Sequence, residues 1–179
     1  MSTRIINRLA ARPHQLIAEA LQSLIVSELL DPGRRLLLVS PWISDVPLLD
    51  NRSGRFSALN TGWSASTIRL SVIIRALLER QMRIYIAYGT GEDKPDFIKR
   101  LEESVRRDGT SQFLTVRRAP QLANNAIDHQ KALVGDDWIV HGSMNLTKYG
   151  VMLNGELVTI STEPGYVSTF TTELMSLFA

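Results

Sequence analysis

Leu36-Leu37-Leu38-Val39 is an unbroken apolar run set between Asp31-Pro32-Gly33 and Pro41. A short run with no polar alternation fits a strand covered on both faces, as in sheets with helices above and below. The flanking segments supply such helices. Residues 14–30 place Leu16, Ile17, Ala20, Leu21, Leu24, Ile25 and Leu29 at helical spacing, and Asp31-Pro32-Gly33 stops them. A second helix is predicted from Ser66 to Gln81, with Ile68, Val72, Ile73, Ala76 and Leu77 on one side. Met82 to Tyr88 alternates and is rich in β-formers, so it reads as a strand. Pro95 to Arg107 is an amphipathic helix closed by Asp108-Gly109, and Phe113 to Arg117 is a third strand. Residues 119–128 read as a loop. Lys131 to Val134 and Trp138 to Val140 are strands about a Gly135-Asp136-Asp137 turn. Glu156 to Ile160 is another strand, and Tyr166 to Phe178 a last helix. Helices alternating with buried strands argue for an α/β domain with a mixed sheet covered on both faces. Residues 1–179 fit a single domain.

Composition removes several classes of function. There is no cysteine, which excludes disulfides, thiolate zinc sites and a Cys nucleophile. Hydrophobic residues at 44% and charged residues at 21% argue against disorder and coiled coil. No apolar run approaches the roughly 20 residues of a membrane span. Met1 to Arg12 is basic but has no apolar stretch of the secretory kind, so a cytoplasmic protein is expected. The basic residues are 16 Arg and 4 Lys. Arg binds phosphate bidentately, so this excess fits either a phosphate-bearing partner or a compositional bias. Gly89-Thr90-Gly91 lacks the Gly-Lys-Ser/Thr of a nucleotide-binding loop and reads as a turn.

The chemistry concentrates in residues 127–160. His129 and Lys131 lie two apart, so a strand aims an imidazole and an ammonium at one face. Asp136 follows five residues later. After the next strand comes Gly142-Ser143-Met144-Asn145, where Ser143 and Asn145 again share a face. Phosphodiester hydrolysis without a metal needs a nucleophile, an acid for the leaving oxygen, and cations or donors on the phosphoryl oxygens. Histidine serves as nucleophile when neutral and as acid when protonated. Lys131 supplies charge, and Ser143 and Asn145 supply donors. One imidazole cannot hold both protonation states at once. No Asp/Glu/His cluster has metal-ligand spacing, so no metal and no cofactor is expected.

The order His129, Lys131, Asp136, Gly142, Ser143, Asn145 resembles the HKD signature of the phospholipase D superfamily. Asn154-Gly155-Glu156 resembles the Asn-x-Glu that follows it in many bacterial members. Leu38 to Ile43 looks like the first core strand of that superfamily and its exit. The match is dense over about 34 residues and combines several spacings, which makes it far more specific than His-x-Lys alone. The resemblance implies an α/β/α sandwich and a phosphohistidine at His129. It also implies two motifs per active site, so this single-motif chain is expected to be a homodimer. By the same resemblance Glu156 pairs with the partner motif's imidazole, although an ordinary strand Glu is the competing reading. Asp136 sits in a Gly-Asp-Asp turn and reads as structural, as does Gly142. The small single-motif members resemble the bacterial nuclease branch, and compact DpdK-like ones occur in DNA-modification and phage-defence gene sets.

A nuclease is therefore the leading expectation, with DNA favoured over RNA and partner proteins of such a set possible. A phospholipase or phosphatidyltransferase, and a nucleic-acid-binding subunit with little activity alone, are the alternatives. The connection 41–65 carries Pro41, Pro47, Gly54 and Gly62 without a clear period, and connections this long are often functional. Its Arg52, Arg55 and Trp63 fit a nucleic-acid grip or an ordinary surface loop equally. Lys148 and Tyr149 follow the motif and are candidate substrate contacts. Arg4, Arg8 and Arg12 would share one face of a helix, and Arg117-Arg118 precede the motif. All five suit either phosphate tracking or solvation. His141 reads as support and His14, after Pro13, as a helix start.

Overall fold

A computed structural model describes residues 2–9, 15–89, 94–119 and 129–179. Its centre is a seven-stranded mixed sheet in the order β1-β9-β8-β7-β2-β5-β6. The strands are β1 (Thr3–Arg8), β2 (Arg35–Ser40), β5 (Arg83–Tyr88), β6 (Leu114–Arg118), β7 (Ala132–Val134), β8 (Ile139–Gly142) and β9 (Glu156–Ser161). A separate two-stranded ribbon joins β3 (Pro47–Asp50) to β4 (Thr67–Arg69). Strands β2, β5 and β6 run parallel, whereas β7, β8, β9 and β1 continue the sheet antiparallel. The central apolar run sits where burial is greatest: Leu36, Leu37 and Leu38 are fully covered.

Helices α1 (Leu16–Leu30), α2 (Leu70–Glu79) and α3 (Asp96–Arg107) cover one face. Ile17, Leu21, Ile25 and Leu29 of α1, Ile73 and Leu77 of α2, and Ile98 and Leu101 of α3 meet Leu36, Leu38, Ile84 and Ile86 there. Helix α5 (Pro164–Met175) covers the other face, where Val167 and Leu174 meet Leu37, Val39, Ala87 and Ile139. The result is the α/β/α sandwich that the resemblance implies. A short helix α4 (Lys148–Met152) fills the β8–β9 connection. Among the described residues no helix is long and apolar enough to cross a membrane.

Three readings need correction. The start of the chain is not a helix with Arg4 and Arg8 on one face. It is edge strand β1, with Ile6 and Arg8 turned inward and Ile5 and Asn7 outward. Arg12 and His14 lie outside the described residues, as do Thr90, Gly91 and most of the 119–128 loop. The second helix does not begin at Ser66: residues 67–69 pair with β3, and α2 starts at Leu70. A carboxylate remote in sequence fixes that start. Asp45 accepts from the Ser71 N–H and from Ser71 Oγ, each at 2.9 Å, which satisfies an open helix N-terminus. In the 41–65 connection, which shows no clear period in sequence, β3 forms, and Trp63 is built into the core rather than serving as a grip or an ordinary surface-loop residue.

Candidate active site

The sheet order brings the motif together. Strand β7 runs antiparallel to β2, β8 to β7 and β9 to β8. The end of β2, the start of β7, the end of β8 and the start of β9 therefore all reach one edge of the sheet. Ser40, His129 and Lys131, Ser143 and Asn145, and Glu156 emerge there, although they span more than a hundred residues of sequence. Arg117 and Arg118 end the parallel strand β6 at the same edge and are exposed.

His129 is exposed, whereas Lys131 is buried at 8% exposure. Lys131 Nζ stands 2.9 Å from His129 Nδ1 and 2.7 Å from the His129 carbonyl oxygen. An ammonium only donates, so Nδ1 accepts and the ring's own proton lies on Nε2. The indole of Trp42 meets the His129 ring edge-on, with centroids 5.5 Å apart and planes at 87°. The imidazole is thus held on two sides, by a cation and by an aromatic.

Ser143 and Glu156 form a second pair. Ser143 Oγ donates to Glu156 Oε2 and accepts from the Leu157 N–H at 3.0 Å. The hydroxyl proton expected to serve a phosphoryl oxygen is therefore held by Glu156 of the same chain. Glu156 is only 8% exposed. Gly142 permits this approach: its φ is +146°, and a Cβ there would collide with the Leu157 carbonyl. Its position reflects the close pairing of β8 with β9, where Gly142 stands opposite Val158.

Asn145 sits at a hub that ties the β2 exit to the motif. Ser40 Oγ donates to the Trp42 carbonyl at 2.7 Å, accepts from the Leu146 N–H at 3.0 Å, and stands 3.4 Å from Asn145 Oδ1. Ile43 bridges Leu146, and the Ser44 N–H donates to the Leu146 carbonyl at 3.0 Å. Thr147 then caps α4 by accepting from the Gly150 N–H at 3.1 Å. A Cβ on Gly150 would strike the Asn145 carbonyl, so α4 packs directly on the Asn145 turn. Lys148 and Tyr149 project from its first turn and are exposed. Arg8 closes the other end of α4. Buried to 1% exposure, it donates to the carbonyls of Asn154 at 2.7 Å, Val151 at 2.6 Å and Gly150. Those orphan carbonyls are what a helix C-terminus must satisfy. Arg8 holds structure and tracks no phosphate.

Asp136 lies at the far end of the β7–β8 hairpin from His129. It accepts from the Arg34 N–H at 2.6 Å and pairs with Arg34 Nε and Arg35 Nε at 3.4 Å each. It fastens the hairpin to the start of β2. Beside it the buried Glu28 accepts from Trp138 Nε1 at 2.7 Å and from the Gly33 N–H at 3.2 Å. Burial holds its carboxyl above the usual range, and the Asp136 and Asp137 carboxylates add to the effect. His141 faces α5, where Tyr166 Oη meets its Nε2 at 2.7 Å and Phe170 stacks on it at 5.0 Å. Burial holds its pKa below the usual imidazole value.

The loop residues separate. Arg52 makes two contacts to Asp50, at 2.9 and 2.6 Å, and Arg55 bonds Gln22 and lies over Phe56. Trp63 is 9% exposed within the core, so it offers no face to a base. Two residues of the site, Ser40 and Trp42, escaped the sequence reading. A hydroxyl ending an otherwise apolar strand, followed by Pro and a large aromatic, was the available signal. Among the described residues no group of three or more His, Asp or Glu side chains gathers as metal ligands do.

The fold recurs in solved structures. NucT from Helicobacter pylori superposes with a TM-score of 0.58 at 12% identity, over 99% of this chain and 95% of that one. A phospholipase D family member, Nuc from Salmonella typhimurium, gives 0.58 at 14% identity over 99% and 93%. The fold is that of a phospholipase D family member. Phosphatidylserine synthase from Haemophilus influenzae carries it as 38% of its length, with a TM-score of 0.60 at 17% identity and 98% of this chain covered. No family model matches the sequence, and no curated protein matches it either.

Proposed function

We propose that this chain hydrolyses phosphodiesters without a metal, as a homodimeric nuclease whose two His129 side chains act on one phosphorus. The observation that carries this reading is the pairing of an exposed imidazole with a buried ammonium 2.9 Å away, at an edge of a fold shared with a phospholipase D family member. Lys131 and the Asn145 amide suit the phosphoryl oxygens. An incoming phosphate draws Lys131 off Nδ1. The ring proton then moves to Nδ1, and Nε2 attacks phosphorus. The P–O bond to the leaving oxygen breaks as His129 of the second copy gives that oxygen its proton. Water then attacks phosphorus, the P–N bond breaks, and the second imidazole takes the proton of the water. Ser143 and Glu156 hold the β8–β9 wall of the pocket. Exposed Tyr149, Leu153 and Leu157, which flank this wall in sequence, supply apolar surface for a second copy.

Nucleic acid is the favoured substrate, supported by Arg117 and Arg118 at the reactive edge and by the neighbours NucT and Nuc. The likeness to phosphatidylserine synthase favours a second reading, a phosphatidyl transfer. A third, binding without cleavage, draws on TrmBL2, an archaeal chromatin protein whose structure shows a novel mode of DNA binding. It superposes at a TM-score of 0.51 with 15% identity, over 99% of this chain and 53% of that one. Incubating the protein with plasmid, single-stranded DNA, RNA and phosphatidylcholine vesicles, each with EDTA, tests the three together. Cleavage of nucleic acid that survives the chelator is the expected result. Loss of all hydrolysis with EDTA, restored by a divalent ion, overturns the mechanism. Lipid turnover alone overturns the substrate.

A further inference from the structure

We propose that Trp42 is a stacking platform for the nucleobase beside the scissile phosphate, and that it directs this site to unpaired strands. The inference rests on the nuclease reading and adds the form of the substrate. Three tryptophans are present, and two are committed to packing: Trp138 is 5% exposed and Trp63 9%. Trp42 is 59% exposed although its backbone is pinned on both sides. Its carbonyl takes the Ser40 hydroxyl, Ile43 bridges Leu146, and the Pro41 carbonyl takes the Gly89 N–H at 3.0 Å. A rigid backbone presenting a bare indole loses little freedom when something stacks on it.

The location fixes what that something is. The indole contacts the His129 ring edge-on at 5.5 Å, so its open face borders the place where a phosphorus meets the imidazole. In a nucleic acid one sugar separates a base from its phosphate. A base on Trp42 therefore sets the adjoining phosphate at His129 and Lys131. The face a base needs for this contact is covered by its neighbours in a duplex, and exposing it there costs unstacking and unpairing. A single strand meets no such cost, and every base has a π face, so the contact discriminates strandedness rather than sequence.

The test compares wild type with Trp42→Ala and Trp42→Phe on three ligands: a single-stranded oligonucleotide, its duplex, and an oligonucleotide of abasic sugar-phosphate units. Binding is read by anisotropy and by acrylamide quenching of the exposed tryptophan, and cleavage alongside. Trp42→Ala is expected to weaken single-strand binding about tenfold or more, the usual effect of removing a base-stacking aromatic. Trp42→Phe should retain most of it. On the abasic strand Trp42→Ala and wild type should bind with equal affinity, and wild type should bind single strand in preference to duplex while Trp42→Ala does not. The single strand should also shield the quenchable tryptophan of wild type. Unchanged single-strand binding by Trp42→Ala overturns the proposal and leaves the nuclease reading standing. An equal loss on the abasic strand overturns it too, because Trp42 would then only hold the His129 ring. A wild-type protein that neither binds nor cleaves nucleic acid, yet hydrolyses another phosphodiester, overturns both. Since Trp42 is exposed, equal melting temperatures show that the variants are folded.

Discussion

At the scale of single residues, position along the hairpin separates the roles within His129-x-Lys131 and Asp136. His129 and Lys131 lie in the irregular segment just before β7, not in a strand starting at Lys131 as the sequence predicts, whereas Asp136 turns the chain at the opposite end of the hairpin and pairs with Arg34 and Arg35. His129→Ala should remove essentially all turnover, several orders of magnitude, because groups that act as a unit fail together. Lys131→Ala should be nearly as severe. Asp136→Asn should lower the melting temperature and leave kcat largely intact. Steady-state kinetics with thermal melts check all three, and an inactive but well-folded Asp136→Asn would contradict the assignment. The turn at Asp136 was legible in the sequence because Gly-Asp-Asp has a known local turn chemistry. The Ser143–Glu156 pair was not, because thirteen residues and the whole of α4 separate partners that only the β8–β9 register brings together.

At the scale of elements, the central strands and main helices were readable because burial writes itself as periodicity: Leu36 to Val39, Met82 to Tyr88, and the α1 and α3 stripes. The edge strand β1 carries no such signature. In β1 an inward Arg8 breaks the apolar alternation, and its justification lies about 145 residues away in the carbonyls that end α4. Arg8→Ala should leave those buried acceptors open and cost about 3 kcal/mol of stability, on the order expected for charged hydrogen bonds. It should also lower activity by loosening the α4 contact on Asn145. Denaturant melts and kcat measure the two effects. Helix α1 makes a pH-dependent connection to the β7–β8 turn through Glu28 and Trp138. The Glu28 carboxyl is held above its ordinary value of 4.5 because burial disfavours the anion. Its contribution is therefore fully present below that pH and is lost as pH rises through the higher folded-state value. Glu28→Gln should flatten the decline of stability above about pH 4.5, as measured by urea titrations across that range.

For the whole molecule, the count of motifs sets the assembly that the proposed reaction requires. One chain brings one His129, and the proposed reaction uses two imidazoles in opposite protonation states. A two-fold interface would place the same patch against itself and so supply the second. Sedimentation should give about 40 kDa, twice the 20.0 kDa chain. Mixed with His129→Ala chains, activity should fall with the square of the wild-type fraction, since a heterodimer carries a single imidazole. A linear fall would show that each chain works alone. The account stands or falls on the bond made at His129. Phosphoramidates of histidine survive alkali and break down in acid, so a substrate carrying labelled phosphate can be quenched during turnover, with EDTA present, and the label located by peptide. The account predicts alkali-stable, acid-labile label on the peptide containing His129, absent from His129→Ala. Full turnover without such label, or label on a different residue, would contradict it.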